Sequence, residues 1–335
     1  MNDPKQTPPS ADTLDSSPLL RLPTRDAAGH KGTFGTVVII GGSIGATEPA
    51  AHPTMLGAPT LAGRAALRSG VGLCKLVVPQ GLVQAALSLL PSATALGFPT
   101  HPDGSIIPHA AASVVDAALL QASAVVLGPG LGRASGVESL VLRVLQQDEI
   151  PVVVDADALN AMSAIPDLFR DFRAPAVLTP HPGEFARLAA ALRITLDPVS
   201  KATRPDAAVA LAQRLGCVVV LKGEGTIVSN GVRTWRCARG HPCLATAGTG
   251  DVLAGILGGL IAQLDHPARR RALSGTLSPH ASARPADVAP TFDLFELARI
   301  AVDIHARAGE RWAKAHGPAG LLAHELADLI PQELA

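Results

Sequence analysis

A short run of small residues, 245–251, has the composition of a phosphate-binding turn. It reads ATAGTGD, and an apolar stretch of helical length, 252–264, follows directly. Small side chains let backbone N–H groups converge on one point, and the first helical turn adds unpaired donors and the positive dipole end. The run therefore predicts an anion hole, with Asp251 removing a proton from a substrate hydroxyl. Helix capping by Asp251 is the alternative, but a cap does not require flanking glycines and threonines.

Two glycine clusters follow predicted strands. GGS at 41–43 comes after the apolar run 37–40, and GPGLG at 128–132 comes after the run 124–127. In open α/β sheets ligands lie beyond the carboxyl ends of the strands, so we expect both loops to reach one crevice. Neither cluster matches GxGxxG or GxxxxGK[ST]. For each cluster, the alternative interpretation, a turn that binds no ligand, therefore remains.

Two further strand ends carry titratable groups. DADALN at 155–160 offers carboxylates that suit Mg²⁺ beside phosphates, or a sugar, although helix capping by either aspartate is the alternative. TPHPGE at 179–184 contains two prolines that restrict the loop. We expect this loop to direct His181 and Glu184 into the crevice.

A lysine ends the next predicted strand, in LKGEGT at 221–226. The Lys222 cation can balance nucleotide phosphate charge, and the neighbouring glycines let the backbone approach a ligand. Five glycine-rich or polar loops at strand ends of one sheet favour a nucleotide-dependent phosphoryl-transfer site.

Short apolar runs alternate with Ala/Leu/Arg-rich segments along the chain. The predicted strands are 37–40, 75–78, 124–127, 152–154, 176–178 and 217–221. The predicted helices between and after them are 57–69, 81–89, 114–121, 136–147, 183–192, 207–214, 252–264, 293–315 and 320–329. Strands that are apolar on both faces indicate a parallel sheet covered by helices. Asn230-Gly231 between short strands predicts an antiparallel hairpin at one edge.

Composition excludes several classes of protein. The 335 residues include 28 basic and 28 acidic side chains, 3% aromatics and no tyrosine, so a nucleic-acid surface or a basic membrane patch is not expected. Four scattered cysteines do not form a disulfide scaffold. Cys237, His241 and Cys243 match no familiar zinc spacing.

The chain is expected to contain one folded domain. Residues 1–28 read as a flexible leader and 29–335 as the domain, while 46–55 and 275–291 read as inserted surface loops. The first 30 residues lack a basic start followed by an apolar run. We therefore expect a soluble, cytoplasmic protein.

The motifs together resemble one known family. KGTFGTVVIIGGS, GAPTLAGRAALRSGVGL, GPGLG, DADALN, TPHPGE, LKGEGT and ATAGTGDVLAGILGGLIAQ occur in the order found in ADP-dependent (S)-NAD(P)H-hydrate dehydratases. This resemblance runs from about Lys31 to the C-terminus, without the N-terminal epimerase domain frequent in the family. It implies an α/β protein with the ribokinase-like three-layer α/β/α sandwich and a mostly parallel central sheet.

The resemblance also implies the chemistry and its residues. ADP, with Mg²⁺, phosphorylates the ring hydroxyl of hydrated NADH or NADPH, and loss of phosphate restores the dinucleotide and leaves AMP. Asp251 is implied as the base and as a substrate contact. The other implied residues are Gly248, Thr249 and Gly250 for the anion hole, Lys222, Gly223, Glu224, Gly225, Thr226 and Gly250 for the nucleotide, and Ala58, Gly130 and His181 for the hydrated dinucleotide. Glu184 matches the acidic position that organises Mg²⁺ in the superfamily.

The sequence departs from the family pattern near the site. ATEPAAHPTML at 46–56 replaces a shorter stretch with an aromatic residue, and GHPC at 240–243 stands where family members tend to have GNPG. Two alternatives remain: a small-molecule kinase for a vitamin-precursor alcohol, which would share the anion hole and base, and a nucleotide-binding regulator without turnover. The family resemblance also implies a homo-oligomer, a tetramer, with no nucleic-acid or membrane partner.

Overall fold

One mostly parallel sheet forms the centre of the protein. The structure, a computed structural model, describes residues 14–45, 53–265 and 292–334. Its strands are β1 (Thr36–Ile40), β2 (Leu73–Pro79), β3 (Thr94–Phe98), β4 (Ala124–Leu127), β5 (Val152–Val154), β6 (Ala176–Leu178), β7 (Val218–Leu221), β8 (Ile227–Ser229) and β9 (Thr234–Arg236). The strand order is β3-β2-β1-β4-β5-β6-β7-β8-β9. Among the strands described, the β7–β8 and β8–β9 pairs are antiparallel. The β8–β9 pair is the hairpin that Asn230-Gly231 predicts.

Helices cover both faces of this sheet. They are α1 (Gly57–Arg68), α2 (Val83–Leu89), α3 (Pro108–Leu119), α4 (Val137–Leu145), α5 (Asp157–Ala164), α6 (Pro182–Leu192), α7 (Arg204–Leu215), α8 (Thr249–Leu264), α9 (Leu294–His316) and α10 (Ala323–Leu329). Val37 and Ile39 pack towards α1, α8, α9 and α10, and Val38 and Ile40 pack towards the layer of α3 to α7. Successive strand side chains point to opposite faces, so burial on both requires continuous apolar runs. The prediction of a three-layer sandwich is confirmed.

Three elements differ from the sequence prediction. β3 was not predicted, because Thr94 is its only β-branched residue. α5 was not predicted, because its first residues belong to a polar motif that also suits a loop. α3 begins at Pro108 rather than 114, with the proline in the first helical turn, where its missing N–H costs nothing.

Helix α8 is held against the sheet and α1 by glycines that allow close contact. A Cβ atom at position 255 would lie 2.2 Å from the Ala62 carbonyl oxygen, and one at position 258 would lie 2.4 Å from Cγ2 of Val126. No side chain can occupy either space without movement of backbone or core. These two contacts fix the helix whose first turn carries Asp251.

Gly255→Ala is expected to destabilise the protein by about 2 kcal/mol, because the added methyl group overpacks the α1–α8 contact. Gly57→Ala is the matched control, since nothing lies within 4 Å of a Cβ atom there. Urea unfolding measures both variants. Equal midpoints for the two would contradict the close-packing explanation.

The segments outside the sandwich are only partly described. Residues 14–28 contain no helix or strand, but Asp15 N donates to Thr234 O at 2.6 Å and Arg299 donates to Ser17 Oγ at 3.0 Å. The division into a leader and one domain stays a prediction. Positions 46–52 and 275–291 of the predicted insertions lie outside the described residues. Among the helices described, none is long and apolar enough to span a bilayer.

Candidate functional site

A charged cluster lies at the carboxyl ends of β5, β6 and β7. The Lys222 Nζ atom is 2.6 Å from Asp155 Oδ1 and 3.8 Å from Glu184 Oε2. Asp155 Oδ1 also accepts a hydrogen bond of 2.6 Å from the Thr179 hydroxyl. The side chains of Lys222, Asp155 and Glu184 are 18%, 2% and 6% exposed. Residues from three separate loops thus form one buried network.

The network keeps Lys222 cationic. Burial acts to lower its pKa, but the carboxylates of Asp155, Glu184 and Asp251 act in the other direction, and the net pKa is raised. The ammonium group also approaches the first turn of α8, since a Cβ atom on Gly250 would lie 3.4 Å from Nζ. The positive charge of Lys222 therefore lies beside the N-terminus of α8.

Asp251 is the third residue of α8, and it does not cap the helix. The N-cap residue is Gly248, and no side-chain cap hydrogen bond forms there. Among the described residues, no donor hydrogen-bonds to the Asp251 carboxylate. Its pKa is raised to about 7, first by burial and then by the charges of Asp155, Asp157 and Glu184, while Lys222 acts to lower it. A carboxylate with this pKa can accept a proton near neutral pH.

The predicted anion hole lies directly before and within the first turn of α8. In the described part of the chain the amides of Gly248 and Gly250 donate no hydrogen bond, which leaves both available to a ligand. The Thr249 hydroxyl is committed to the backbone, at 2.8 Å from Leu244 O and 2.9 Å from Thr246 O. Thr249 therefore braces the turn with its side chain rather than offering its hydroxyl to a ligand.

His305 of α9 supports the same turn, and sequence reasoning missed it. Its Nε2 atom is 2.9 Å from the carbonyl oxygen of Thr249. Burial lowers the pKa of His305 to about 4. The imidazole is neutral at physiological pH, so Nε2–H donates to this carbonyl. No local signal marks this histidine, since it is one residue of a long helix that contacts α8 only in the folded protein.

The TPHPGE loop holds His181 in a defined tautomer. His181 Nδ1 accepts hydrogen bonds from Gly183 N at 3.0 Å and Glu184 N at 3.3 Å, and Glu184 Oε2 accepts one from His181 N at 2.8 Å. This arrangement is a capping box for α6. Burial, then Lys222 and Arg187, lower the His181 pKa. Because Nδ1 accepts these bonds, the neutral ring carries its proton on Nε2, which lies 3.4 Å from Glu184 Oε1 in a half-exposed side chain.

Glu184 shares this environment. Burial raises the pKa of Glu184 to about 7, with Asp155 acting in the same direction and Lys222 against it. Its two carboxylate oxygens lie against His181 and Lys222. Glu184 therefore organises the loop as well as adding negative charge to the cluster.

The two glycine loops meet beside the start of α1. Gly42 N donates to Pro129 O at 3.0 Å, and a Cβ atom on Gly130 would lie 3.2 Å from Cβ of Ala58. Gly132 N donates to Asp157 Oδ2 at 2.9 Å. The structure thus brings Ala58 and Gly130 together. The N-cap of α5 is Ala156, without a side-chain cap bond, so Asp157 supports the neighbouring glycine loop instead of capping its helix.

Ser43 connects these loops to the end of the 46–55 segment. Ser43 N donates to Met55 O at 3.0 Å, and Met55 N donates to Ser43 O at 2.9 Å. A Cβ atom on Gly130 would also lie 3.0 Å from Cβ of Met55. The segment that departs from the family pattern therefore rejoins the fold beside Gly130 and Ala58.

Most side chains of the 221–226 loop point away from the charged cluster. Thr226 Oγ1 donates to Gly223 O at 3.0 Å, within the loop. Glu224 pairs with Lys201 at 3.1 Å, and both side chains are largely exposed. The Lys222 side chain alone enters the charged cluster. The backbone of this loop therefore lies next to the Lys222 ammonium group, without side chains of the loop between them.

Comparisons with known proteins agree on one family. A sequence model of the family described as NAD(P)H-hydrate dehydratase matches residues 37–332. The ADP-dependent (S)-NAD(P)H-hydrate dehydratase of Bacillus subtilis is 32% identical over 93% of this chain and 93% of its own length. Other curated relatives are named bifunctional NAD(P)H-hydrate repair enzymes, and this chain spans about half of their length.

Solved structures agree with the fold. The crystal structure of an ADP/ATP-dependent NAD(P)H-hydrate dehydratase from Bacillus subtilis, co-crystallized with ATP/Mg²⁺, superposes with a TM-score of 0.68 at 29% identity, covering 93% of each chain. A ribokinase-like superfamily protein from Enterococcus faecalis superposes with a TM-score of 0.66 at 24% identity, covering 94% of this chain and 91% of its own. The second similarity concerns the fold alone.

Proposed function

This chain belongs to the NAD(P)H-hydrate dehydratase family, and we propose that it restores the S form of hydrated NADH or NADPH to the reduced dinucleotide. ADP is the proposed phosphate donor, with AMP and inorganic phosphate as products. The proposal rests on one observation above all. A carboxylate with a pKa of about 7, Asp251, lies in the first helical turn, where Lys222 and free amides can hold a phosphate.

Asp251 is the proposed base for the phosphoryl transfer. It takes the proton of the ring hydroxyl, whose oxygen forms a bond to the β-phosphorus of ADP while AMP leaves. The carbon–oxygen bond to the new phosphate then breaks. Phosphate departs with that electron pair, an adjacent ring proton is lost, and the ring double bond returns.

Positive charge around the transferred group is the second proposed contribution. The amides of Gly248 and Gly250, the α8 dipole and the Lys222 ammonium lie on one side of the crevice. Fixed donors of this kind stabilise charge that develops in a transition state without needing to reorient. Ala58, Gly130 and the Nε2–H of His181 are the proposed contacts of the hydrated dinucleotide.

Magnesium is the proposed metal partner of the nucleotide. Asp155 and Glu184 offer carboxylate oxygen atoms in the charged cluster, and such oxygen atoms suit Mg²⁺. The described residues contain no group of three or more His, Cys, Asp or Glu side chains that could hold a metal alone. This donor set fits an ion that keeps water and phosphate ligands, where it would neutralise phosphate charge. A homotetramer working in the cytoplasm is proposed on the family resemblance.

Turnover is expected to rise with pH through an apparent pKa near 7, because Asp251 must be ionised to act as the base. Glu184→Gln should keep this rise but move it to lower pH, since the Glu184 charge helps to raise the Asp251 pKa. Profiles of kcat/KM for both proteins measure the effect. If the rise disappeared in Glu184→Gln, Glu184 rather than Asp251 would be the titrating group.

The direct test supplies hydrated NADH or NADPH, Mg²⁺ and either ADP or ATP to the purified protein. Recovery of the dihydropyridine absorbance, with AMP and phosphate formed from ADP, is the expected result. Recovery with ATP alone would overturn the proposed donor. No recovery with either nucleotide would overturn the proposed function.

A further inference from the structure

A buried arginine lies beneath the 221–226 loop. Arg204 is the first residue of α7 and is only 7% exposed. Its guanidinium group donates to three backbone carbonyls of the loop, those of Leu221 at 3.0 Å, Lys222, and Glu224 at 3.2 Å. One planar cation thus donates hydrogen bonds to carbonyl groups along most of the turn.

Among the described residues, no carboxylate forms a direct ion pair with Arg204. The nearby Glu224 side chain points outward to Lys201 and is 85% exposed. The desolvation cost of this buried guanidinium is offset by its carbonyl acceptors and by the charge of Glu224 at a distance. A role confined to charge pairing therefore does not explain this arginine.

The carbonyl directions determine where the loop amides point. In a trans peptide the C=O and the following N–H point in opposite directions. The carbonyls of Lys222 and Glu224 face Arg204, so the N–H groups of Gly223 and Gly225 point away from it. Neither amide donates a hydrogen bond in the described part of the chain. Gly223 is exposed and Gly225 is partly exposed, so the loop backbone lies at the surface of the protein.

The local backbone requires glycine at both positions. Gly223 has φ +143 and Gly225 has φ +63, values that side chains disfavour. A Cβ atom on Gly223 would also lie 2.5 Å from Arg204 Nη2. Glycine at 223 therefore lets Arg204 approach the loop backbone, and glycine at 225 allows the second positive φ of the turn.

We propose that Arg204 is a positioning residue that turns the Gly223 and Gly225 amides towards the phosphates of a nucleoside diphosphate. The identity of that ligand rests on the proposed function, and the orientation of the amides rests on the geometry of the loop. Arg204 itself does not touch the nucleotide.

Arg204→Gln is expected to raise the KM for ADP on the order of tenfold, because the loop loses its charged donor. The kcat should change by less than about threefold, since Asp251 and the anion hole stay in place. Arg204→Lys should rescue KM only in part, because an ammonium cannot reproduce the planar fork. Arg214→Gln, an exposed position on the same helix, is the control and should match the wild type. A wild-type KM in a folded Arg204→Gln variant would overturn the proposal.

A second measurement does not depend on turnover or on a variant that folds. Titration of the ¹⁵N-labelled wild-type protein with ADP should shift the amide resonances of Gly223 and Gly225. ADP binding without those shifts, or no ADP binding at all, would overturn the proposal. Absence of hydrate turnover with these shifts present would instead overturn the proposed function alone.

Discussion

Asp251→Asn is expected to lower kcat/KM for the hydrated dinucleotide by about a thousandfold, the range for loss of a general base. The amide of asparagine cannot accept the hydroxyl proton, while Gly248, Gly250 and Lys222 still bind the phosphate. The measurement is recovery of dihydropyridine absorbance at saturating ADP. Turnover at the wild-type rate would show that another group is the base.

The same substitution is expected to stabilise the fold above neutral pH. The Asp251 pKa is about 7 in the folded protein, above the value near 3.9 of an unfolded chain. Folding therefore favours the protonated acid. The stability that the protonated Asp251 side chain contributes is fully present below pH ~3.9 and is lost as the pH rises through 7. Asparagine never ionises, so Asp251→Asn should gain roughly 1–3 kcal/mol at pH 8.

Urea unfolding of Asp251→Asn and wild type at pH 4 and pH 8 tests this expectation. Asp116→Asn is the control, because Asp116 pairs with Arg143 at an exposed site, with 46% and 51% of the two side chains exposed. Its effect should be about 0.5 kcal/mol or less at either pH. A stability difference between Asp251→Asn and wild type that stayed the same at both values would contradict the raised pKa.

Lys222→Met is expected to cost about 3 kcal/mol of stability and to abolish nucleotide-dependent turnover. Methionine is an unbranched side chain only one atom shorter, but it leaves Asp155, 2% exposed, without its cation. An uncompensated buried charge is among the most destabilising local changes. Addition of Asp155→Asn removes that charge while an acceptor for the Thr179 hydroxyl stays. The double variant should therefore regain most of the stability but none of the activity.

Lys201→Met is the matched control for this pair. Lys201 and Glu224 form an ion pair with 78% and 85% of their side chains exposed. Exposed pairs contribute little, so the expected change in the free energy of unfolding is about 0.5 kcal/mol or less. Thermal and urea unfolding of these three variants and of the wild type would complete the comparison. Equal losses for Lys222→Met and Lys201→Met, or recovery of turnover in the double variant, would contradict the role given to Lys222.

Much of the fold could be predicted because its signals are local. β-branched runs buried on both faces mark parallel strands, and Asn230-Gly231 marks the β8–β9 hairpin at the edge. β3 escaped prediction because an edge strand with Ala95, Leu96 and Gly97 lacks that signal. α5 was not predicted because its first residue, Asp157, is polar and binds the neighbouring glycine loop at Gly132. These differences occur where tertiary contacts outweigh local preference.

The sequence by itself specified the loops at the strand ends, the glycines that open them and the side chains they carry, because each depends on a few neighbouring residues. It did not specify how those side chains combine. The Lys222–Asp155 pair joins residues 67 apart in the chain, and His305 reaches Thr249 across 56. The raised pKa values of Asp251 and Glu184 arise from burial and from charges on other loops. Such effects depend on distance and on exclusion of water, which exist only once the sheet and its two helix layers have packed.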